Sequence, residues 1–272
     1  MPDNRPIGVF DSGLGGLTVV KEINRLLPFE DIVYFGDTGR VPYGTKSNET
    51  IIKYARQDEK FLLSKDVKMI VAACGTVSSV ASFTKDELPV EFVEVISNSV
   101  KDAIEASVLK KIGILATSAT INSGAHKKQI LELCPEALVI EQSGTLLVTL
   151  VEEGFVSPED NAVIEILTRY LKPMIEAHVD TIILGCTHFP LLADAIKKVM
   201  GESVTLINMG TSAAKAVKKL LESNNALSNT YQNGICKFFV SDKTQSFNKT
   251  VSALFSKEID DRYVEQVDIN NI

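Results

Sequence analysis

Uninterrupted apolar runs, rather than alternating ones, mark the strongest elements of this chain. Residues 69–74 (MIVAAC) and 181–186 (TIILGC) are each about six residues long, rich in β-branched side chains and without polar alternation. Such runs predict strands covered on both faces, as in a parallel sheet. Each ends in a cysteine, Cys74 or Cys186, followed by a short polar turn. In open α/β sheets, ligands bind in the crevice outside the carboxyl ends of the strands, so both thiols are expected at site positions.

An earlier pair of runs repeats in the same way. Residues 7–12 (IGVFDS) resemble residues 112–117 (IGILAT), and their separation of 105 residues is close to the 112 residues between the two cysteines. Two similar α/β units facing one another would bring both thiols to one cleft.

Between these runs the apolar spacing shifts to a helical period at residues 17–27, which stop before Pro28, and again at about residues 47–64. A strand at 32–35 runs into the long loop 36–46, and long loops at strand ends tend to carry function. The first unit closes with a helix to about Glu87 and a strand over residues 92–96. In the second, a strand at 111–116 precedes a helix to about Leu133, a strand at 137–140 and a helical stretch holding Glu152. Ser157-Pro158-Glu159-Asp160 predicts a helix start, with Ser157 as cap and a kink later at Pro173. After the second cysteine strand come a helix at 190–200 and a strand at 204–208. From Gly210 a helix, a polar stretch and a strand at 237–240 predict an addition to an existing sheet.

Length and charge then narrow the classes. A chain of 272 residues with 45% apolar residues suits one large domain or two ordinary ones. A net charge of −7 invites neither nucleic acid nor an anionic membrane as partner. The N-terminal residues lack a signal-peptide pattern, and no apolar stretch approaches a membrane span, so a cytoplasmic protein is expected. Four cysteines in a chain of this length predict thiols and no disulfide framework. Cys134 and Cys236 are read as packing residues.

The turn DSGLGG opens a helix and offers backbone N–H groups to an anion, but it lacks the dinucleotide and phosphate-loop motifs, so a carboxylate ligand fits better. Two thiols at a sheet mouth could be nucleophiles, metal ligands, redox partners or proton-transfer groups. Redox spacing is absent. Zinc would need Cys74, Cys186, His188 and Asp11 to converge. Acid–base work on opposite faces of a planar intermediate fits one cysteine from each of two facing units, and its consequence is inversion at carbon. Taken singly, each residue has an ordinary structural explanation: a buried Cys as apolar filler, Asp11 as a helix cap, Glu152 on a solvated face.

The blocks IGVFDSGLGGLTV, YFGDTGRVPYGTK, VAACGT, ATSAT, LLVTLVEEG and LGCTHFPLL, in this order, resemble the glutamate racemases of the cofactor-independent aspartate/glutamate racemase superfamily. The resemblance implies interconversion of L- and D-glutamate for peptidoglycan biosynthesis, without pyridoxal phosphate, another cofactor or a metal. It implies Cys74 and Cys186 as acid/bases, Asp11 assisting Cys74, and His188 with Glu152 assisting Cys186. Substrate contacts would fall on Asp11, Ser12, Tyr43, Gly44, Gly75, Thr76, Thr187 and His188. The implied fold is two facing, pseudo-symmetric α/β domains with mostly parallel sheets and the active site in the cleft between them. Residues 1–97 with 208–272 would form the first domain and 98–207 the second, in an enzyme that is commonly a homodimer. The competing readings are a racemase of another small carboxylate such as aspartate, and a racemase-like binding or regulatory protein. Gly75 stands where the family usually has Asn, and Asn208 where it usually has an acid. An asparagine side chain restored at position 75 is expected to tighten substrate binding, with Ser78 or Ser79 compensating in its absence.

Overall fold

A computed structural model of the chain describes residues 1–243 and 264–269. The first unit runs β1 (Ile7–Asp11), α1 (Leu17–Leu26), β2 (Ile32–Gly36), α2 (Asn48–Leu63), β3 (Met69–Ala72), α3 (Gly75–Val80), β4 (Glu91–Glu94) and α4 (Val95–Ala106). The second runs β5 (Lys111–Ala116), α5 (Ser118–Ser123), α6 (Ala125–Leu133), β6 (Leu138–Ser143), α7 (Thr145–Glu152), α8 (Asn161–Glu176), β7 (Thr181–Gly185), α9 (Ala193–Met200), β8 (Thr205–Asn208) and α10 (Met209–Ser223). Then follow β9 (Cys236–Val240) and β10 (Val264–Gln266).

The two sheets repeat one topology. Strand order in the first is β10-β9-β2-β1-β3-β4 and in the second β6-β5-β7-β8, so the β2-β1-β3-β4 core reappears strand for strand. Every pairing among the described residues is parallel, with Ile7 opposite Met69 in one sheet and Ile112 opposite Thr181 in the other. The fold is α/β with two parallel sheets, and the weak sequence repeat is the trace of this doubled order. The strand at 237–240 joins the first sheet beside β2. The rest of the expected returning segment, residues 244–263 and 270–272, lies outside the described residues.

The inner strands β1, β2, β3, β5 and β7 are buried on both faces, which is why they read as apolar runs, whereas β4, β6 and β8 are only partly buried. One core cluster holds Val9 and Val71 from the first sheet, Ile114 and Ile183 from the second, and Val20, Val100 and Val217 from α1, α4 and α10, so these helices form a shared middle layer. Phe10 and Ile70 pack outward against α2 through Ile51, Ala55 and Leu62. Leu115 and Leu184 pack outward against Leu147, Leu167 and Ile196 of α7, α8 and α9. The two sheets are thereby fixed with their carboxyl ends toward a common space.

Several boundaries differ from the sequence reading, each for a local reason. The strand expected to reach Ile96 stops at Glu94, whose carboxylate accepts from the N–H groups of Ile96 (2.5 Å) and Ser97 (2.8 Å) and so starts α4. Ser157 does not cap α8. Asp160 does, accepting from Ala162 N at 2.8 Å, while Ser157 Oγ closes a preceding turn by accepting from Glu159 N. The helix expected to reach Leu133 breaks at Gly124, whose φ of 64° ends α5 and opens α6. The helix expected to reach Glu87 is α3 followed by a 3-10 turn over Ser82–Glu87.

Candidate active site

Cys74 follows β3 and Cys186 follows β7, equivalent strands of the two sheets, and both line one cavity of about 300 Å³ between the strand ends. Ser12, Tyr43, Gly44, Gly75, Thr76, Glu152, Thr187 and His188 reach the same cavity. Of the residues expected from sequence, only Asp11 is not part of its lining. It sits immediately behind, almost fully buried.

On the first side, the Cys74 thiol donates to Ser12 Oγ at 3.3 Å. Burial pushes this thiol up to about 12, and the nearby charge of Asp11 adds to the shift, so Cys74 rests protonated. Asp11 is placed by the end of β1, and its Oδ2 accepts from the N–H groups of Gly16 (2.9 Å) and Gly13 (3.1 Å). Burial raises its carboxyl above the ordinary carboxylate range, opposed chiefly by Gly16 N–H and then by His188. Its Oδ1 is buried without a partner.

On the second side, Cys186 Sγ lies 3.7 Å from His188 Nδ1, and His188 Nε2 lies 3.2 Å from Glu152 Oε1. The latter is an ion-pair distance without hydrogen-bond alignment, since Nε2 has no aligned partner. Burial works against the charged imidazole, but Cys186 and Glu152 outweigh it and lift His188 to about 10. The two thiols therefore have auxiliaries of opposite type, a carboxyl beside Cys74 and an imidazole beside Cys186. Pseudo-symmetry shows how: Asp11 at the end of β1 corresponds to Ala116 at the end of β5, whereas His188, two residues past Cys186, corresponds to Thr76, two residues past Cys74.

The wall formed by Val41, Pro42, Tyr43 and Gly44 is held from behind. The Tyr43 hydroxyl donates to Asp37 and lies 3.2 Å from Asp58 Oδ2. Arg40 pairs with Asp37 (2.5 Å) and Asp58 (3.1 Å) and stacks over Tyr54. Burial and the Asp37 charge drive the Asp58 carboxyl well above its ordinary value. Tyr43, expected as a substrate contact, thus lines the cavity while its hydroxyl is held by this network.

Three glycines allow close approach, Gly15 and Gly75 between the two units and Gly36 within the first. A Cβ at Gly15 would overlap Thr187 Oγ1 and stand 2.7 Å from His188 Nδ1. One at Gly36 would meet the Gly13 carbonyl at 2.5 Å, and one at Gly75 the Gly185 carbonyl at 2.8 Å. Ser78 and Ser79 do not compensate for the missing asparagine side chain at position 75: they donate to the Ala72 and Thr76 carbonyls. Asn208 caps α10, accepting from Gly210 N at 2.8 Å.

Sequence reasoning missed Thr117, Thr145, Val148 and Thr149, all of which line the cavity. Thr117 Oγ1 lies 3.2 Å from Thr76 Oγ1 and 3.0 Å from Thr120 Oγ1, a hydroxyl cluster bridging the two units. The repeat could have found it, because Thr117 ends ILAT where Ser12 ends VFDS. Among the described residues, no three His, Cys, Asp or Glu side chains gather in a metal-binding group, and no helix is long and apolar enough to cross a membrane.

The chain matches the family model for Asp/Glu/hydantoin racemase over residues 7–217. It is 44% identical over 223 residues to a glutamate racemase of Syntrophus aciditrophicus, covering 81% of this chain and 82% of that one. It is 40% identical over 261 residues to a glutamate racemase of Geobacter metallireducens, covering 95% and 96%. Its structure superposes with a TM-score of 0.91 on a glutamate racemase of Francisella tularensis solved in complex with D-glutamate, at 38% identity over 99% of this chain and 100% of that one.

Proposed function

Because the chain belongs to the Asp/Glu/hydantoin racemase family and is an amino-acid racemase, we propose that it interconverts L- and D-glutamate through two thiols. The observation that carries this reading is the placement of Cys74 and Cys186 at equivalent strand ends, one on each sheet, in one cavity. One thiol, as thiolate, takes the Cα proton; the carbanion becomes planar; the other thiol returns a proton to the opposite face. The roles exchange when the other enantiomer is the substrate.

The auxiliaries suit this exchange. Cys74, protonated and bonded to Ser12, is an acid poised to donate, and the charge of Asp11 behind it favours the protonated thiol. Charged His188 beside Cys186 would stabilise a thiolate there, with Glu152 holding the imidazole from its far nitrogen. The carbanion and its carboxylate need donors that do not reorganise during reaction. Thr76, Thr117, Thr145 and Thr187 line the cavity and are assigned this work together with Ser12 and the backbone of Gly44 and Gly75. Gly13 and Gly16 N–H groups are already committed to Asp11 and are not assigned to substrate.

On this reading the chain needs no pyridoxal cofactor or metal. It supplies D-glutamate for peptidoglycan in the cytoplasm, and acts as a homodimer of two-domain subunits (residues 1–97 with 208–272, and 98–207). Circular dichroism of the purified protein with L-glutamate, and separately with L-aspartate, tests the substrate. With no cofactor added, the glutamate signal should decay to zero while the aspartate signal persists; the reverse pattern would assign an aspartate racemase, and no decay with either a binding protein.

A further inference from the structure

Tyr34 lies on β2 opposite Val9 of β1, fully buried, with its ring in the middle-layer core beside Phe238. Phenylalanine would fill that space equally well, so packing alone does not explain the hydroxyl. It donates to the carbonyl oxygen of Gly13 at 2.8 Å. Room for this bond exists because β2 ends in Gly36, where a Cβ would stand 2.5 Å from the same oxygen and 3.1 Å from Tyr34 Cε1.

Gly13 is the middle of a short chain of contacts. Its N–H donates to Asp11 Oδ2, and the adjoining Ser12 Oγ accepts from the Cys74 thiol. Two residues on, Gly15 abuts Thr187 and His188, and Thr18 Oγ1 lies within donating distance of both the Gly15 carbonyl (2.8 Å) and the Thr187 carbonyl (3.2 Å). The turn over residues 11–16 thus touches the auxiliaries of both thiols.

We propose that Tyr34 is a positioning residue for the two-thiol reaction, its hydroxyl pinning the Gly13 carbonyl and so fixing the turn that orients Asp11, Ser12 and His188. The inference rests on the two-thiol reading. Without the hydroxyl the Gly13 carbonyl is left buried and unpaired, and the turn relaxes to find another donor. Because the turn serves both sides of the cavity, both directions of turnover suffer together.

The test compares Tyr34→Phe with the parent and with Phe238→Leu, which loosens the same core but keeps the phenol. Tyr34→Phe should lower kcat about tenfold to a hundredfold for both enantiomers, with KM changing less. It should also move the acid limb of kcat/KM upward by about one pH unit as Asp11 loses well-aligned N–H donors. Phe238→Leu should lower thermal stability without either kinetic change. If Tyr34→Phe does not fold, Gly36→Ala displaces the Gly13 carbonyl while keeping the tyrosine and should give the same kinetic signature. A Tyr34→Phe or Gly36→Ala variant with parental kcat and pH profile, whatever its melting temperature, would overturn the proposal. Cys74→Ser run alongside separates the two claims: if it keeps full activity, the two-thiol reading has failed, not the role of Tyr34.

Discussion

A Cβ on Gly75 would stand 2.8 Å from the carbonyl oxygen of Gly185, so the residue after the first cysteine packs directly on the residue before the second. The contact joins α3 of one unit to the end of β7 in the other. A backbone oxygen at that distance cannot swing aside as a flexible side chain would. The sequence expectation that asparagine at position 75 would tighten substrate binding is therefore revised.

Gly75→Asn and Gly75→Ala are both predicted to push the two strand ends apart, costing about 1–3 kcal/mol through overpacking. KM should rise for both enantiomers and the melting temperature should drop by several degrees, about 2–4 °C per kcal/mol in a chain of this size. Steady-state kinetics with a thermal melt decide the matter. A folded Gly75→Asn with lowered KM would restore the earlier expectation.

The parts of the fold legible in sequence were those governed by two-sided burial. MIVAAC and TIILGC announce interior strands because nothing polar could occupy either face, and the doubled IGxxxS/T run announced the repeated topology. The start of α4 was illegible because Val93, Val95 and Ile96 suit a strand equally well. The helix begins there because Glu94 caps it, a fact about one carboxylate and two N–H groups. At the site, cysteine, histidine and acid stood out by type, whereas Thr117 and Thr145 are ordinary residues made significant by where β5 and β6 end. The Asp37–Arg40–Tyr43–Asp58 network joins residues far apart in chemistry and up to 21 positions apart in sequence, and no spacing rule points to it.

Tyr43→Phe is expected to act mainly on stability. Its hydroxyl serves Asp37 and Asp58, both fully buried, and removing it leaves Asp37 Oδ2 to Arg40 alone and Asp58 Oδ2 without its Tyr43 contact, at a cost of about 1–3 kcal/mol. Denaturant unfolding should show that loss while KM for glutamate changes severalfold at most. A KM increase of about a hundredfold with parental stability would instead make the hydroxyl a substrate ligand.

Glu152→Gln should shift the basic limb of the activity profile downward. Burial disfavours charged His188, and Cys186 and Glu152 together hold it at about 10 against an ordinary 6.5. Neutralising Glu152 removes one of those supports. Since the folded value lies above the unfolded one, the stability contributed by this imidazolium is full below about 6.5 and is lost as pH rises toward about 10. The parent should therefore show a steeper alkaline loss of stability than the variant, measured by urea unfolding across that range. Superimposable pH curves would mean that Glu152 does not support the charge of His188.

Glu59 gives a second pH dependence far from the thiols. Thr84 Oγ1 lies 2.5 Å from Glu59 Oε1 and 2.8 Å from the Ala81 carbonyl. The Thr84 hydroxyl is the donor in this pair, and its bond to Glu59 favours the carboxylate, but burial outweighs it. Burial lifts its carboxyl from 4.5 to about 7, so ionising it in place costs stability, which is full below about 4.5 and falls as pH rises toward about 7. Glu59→Gln still accepts from Thr84 but carries no charge at any pH, and should be more stable than the parent at pH 8 but not at pH 5. Equal stability differences at the two pH values would contradict this.

The central claim, that Cys74 and Cys186 exchange the Cα proton from opposite faces, is tested most directly by turnover in D₂O. Each enantiomer of glutamate, incubated without added cofactor, should yield a racemic mixture whose product enantiomer carries solvent deuterium at Cα. Cys74→Ser and Cys186→Ser should each abolish racemisation, since a serine hydroxyl is too weak an acid to serve as the thiolate does. Racemisation with product free of deuterium, or undiminished in either serine variant, would contradict it.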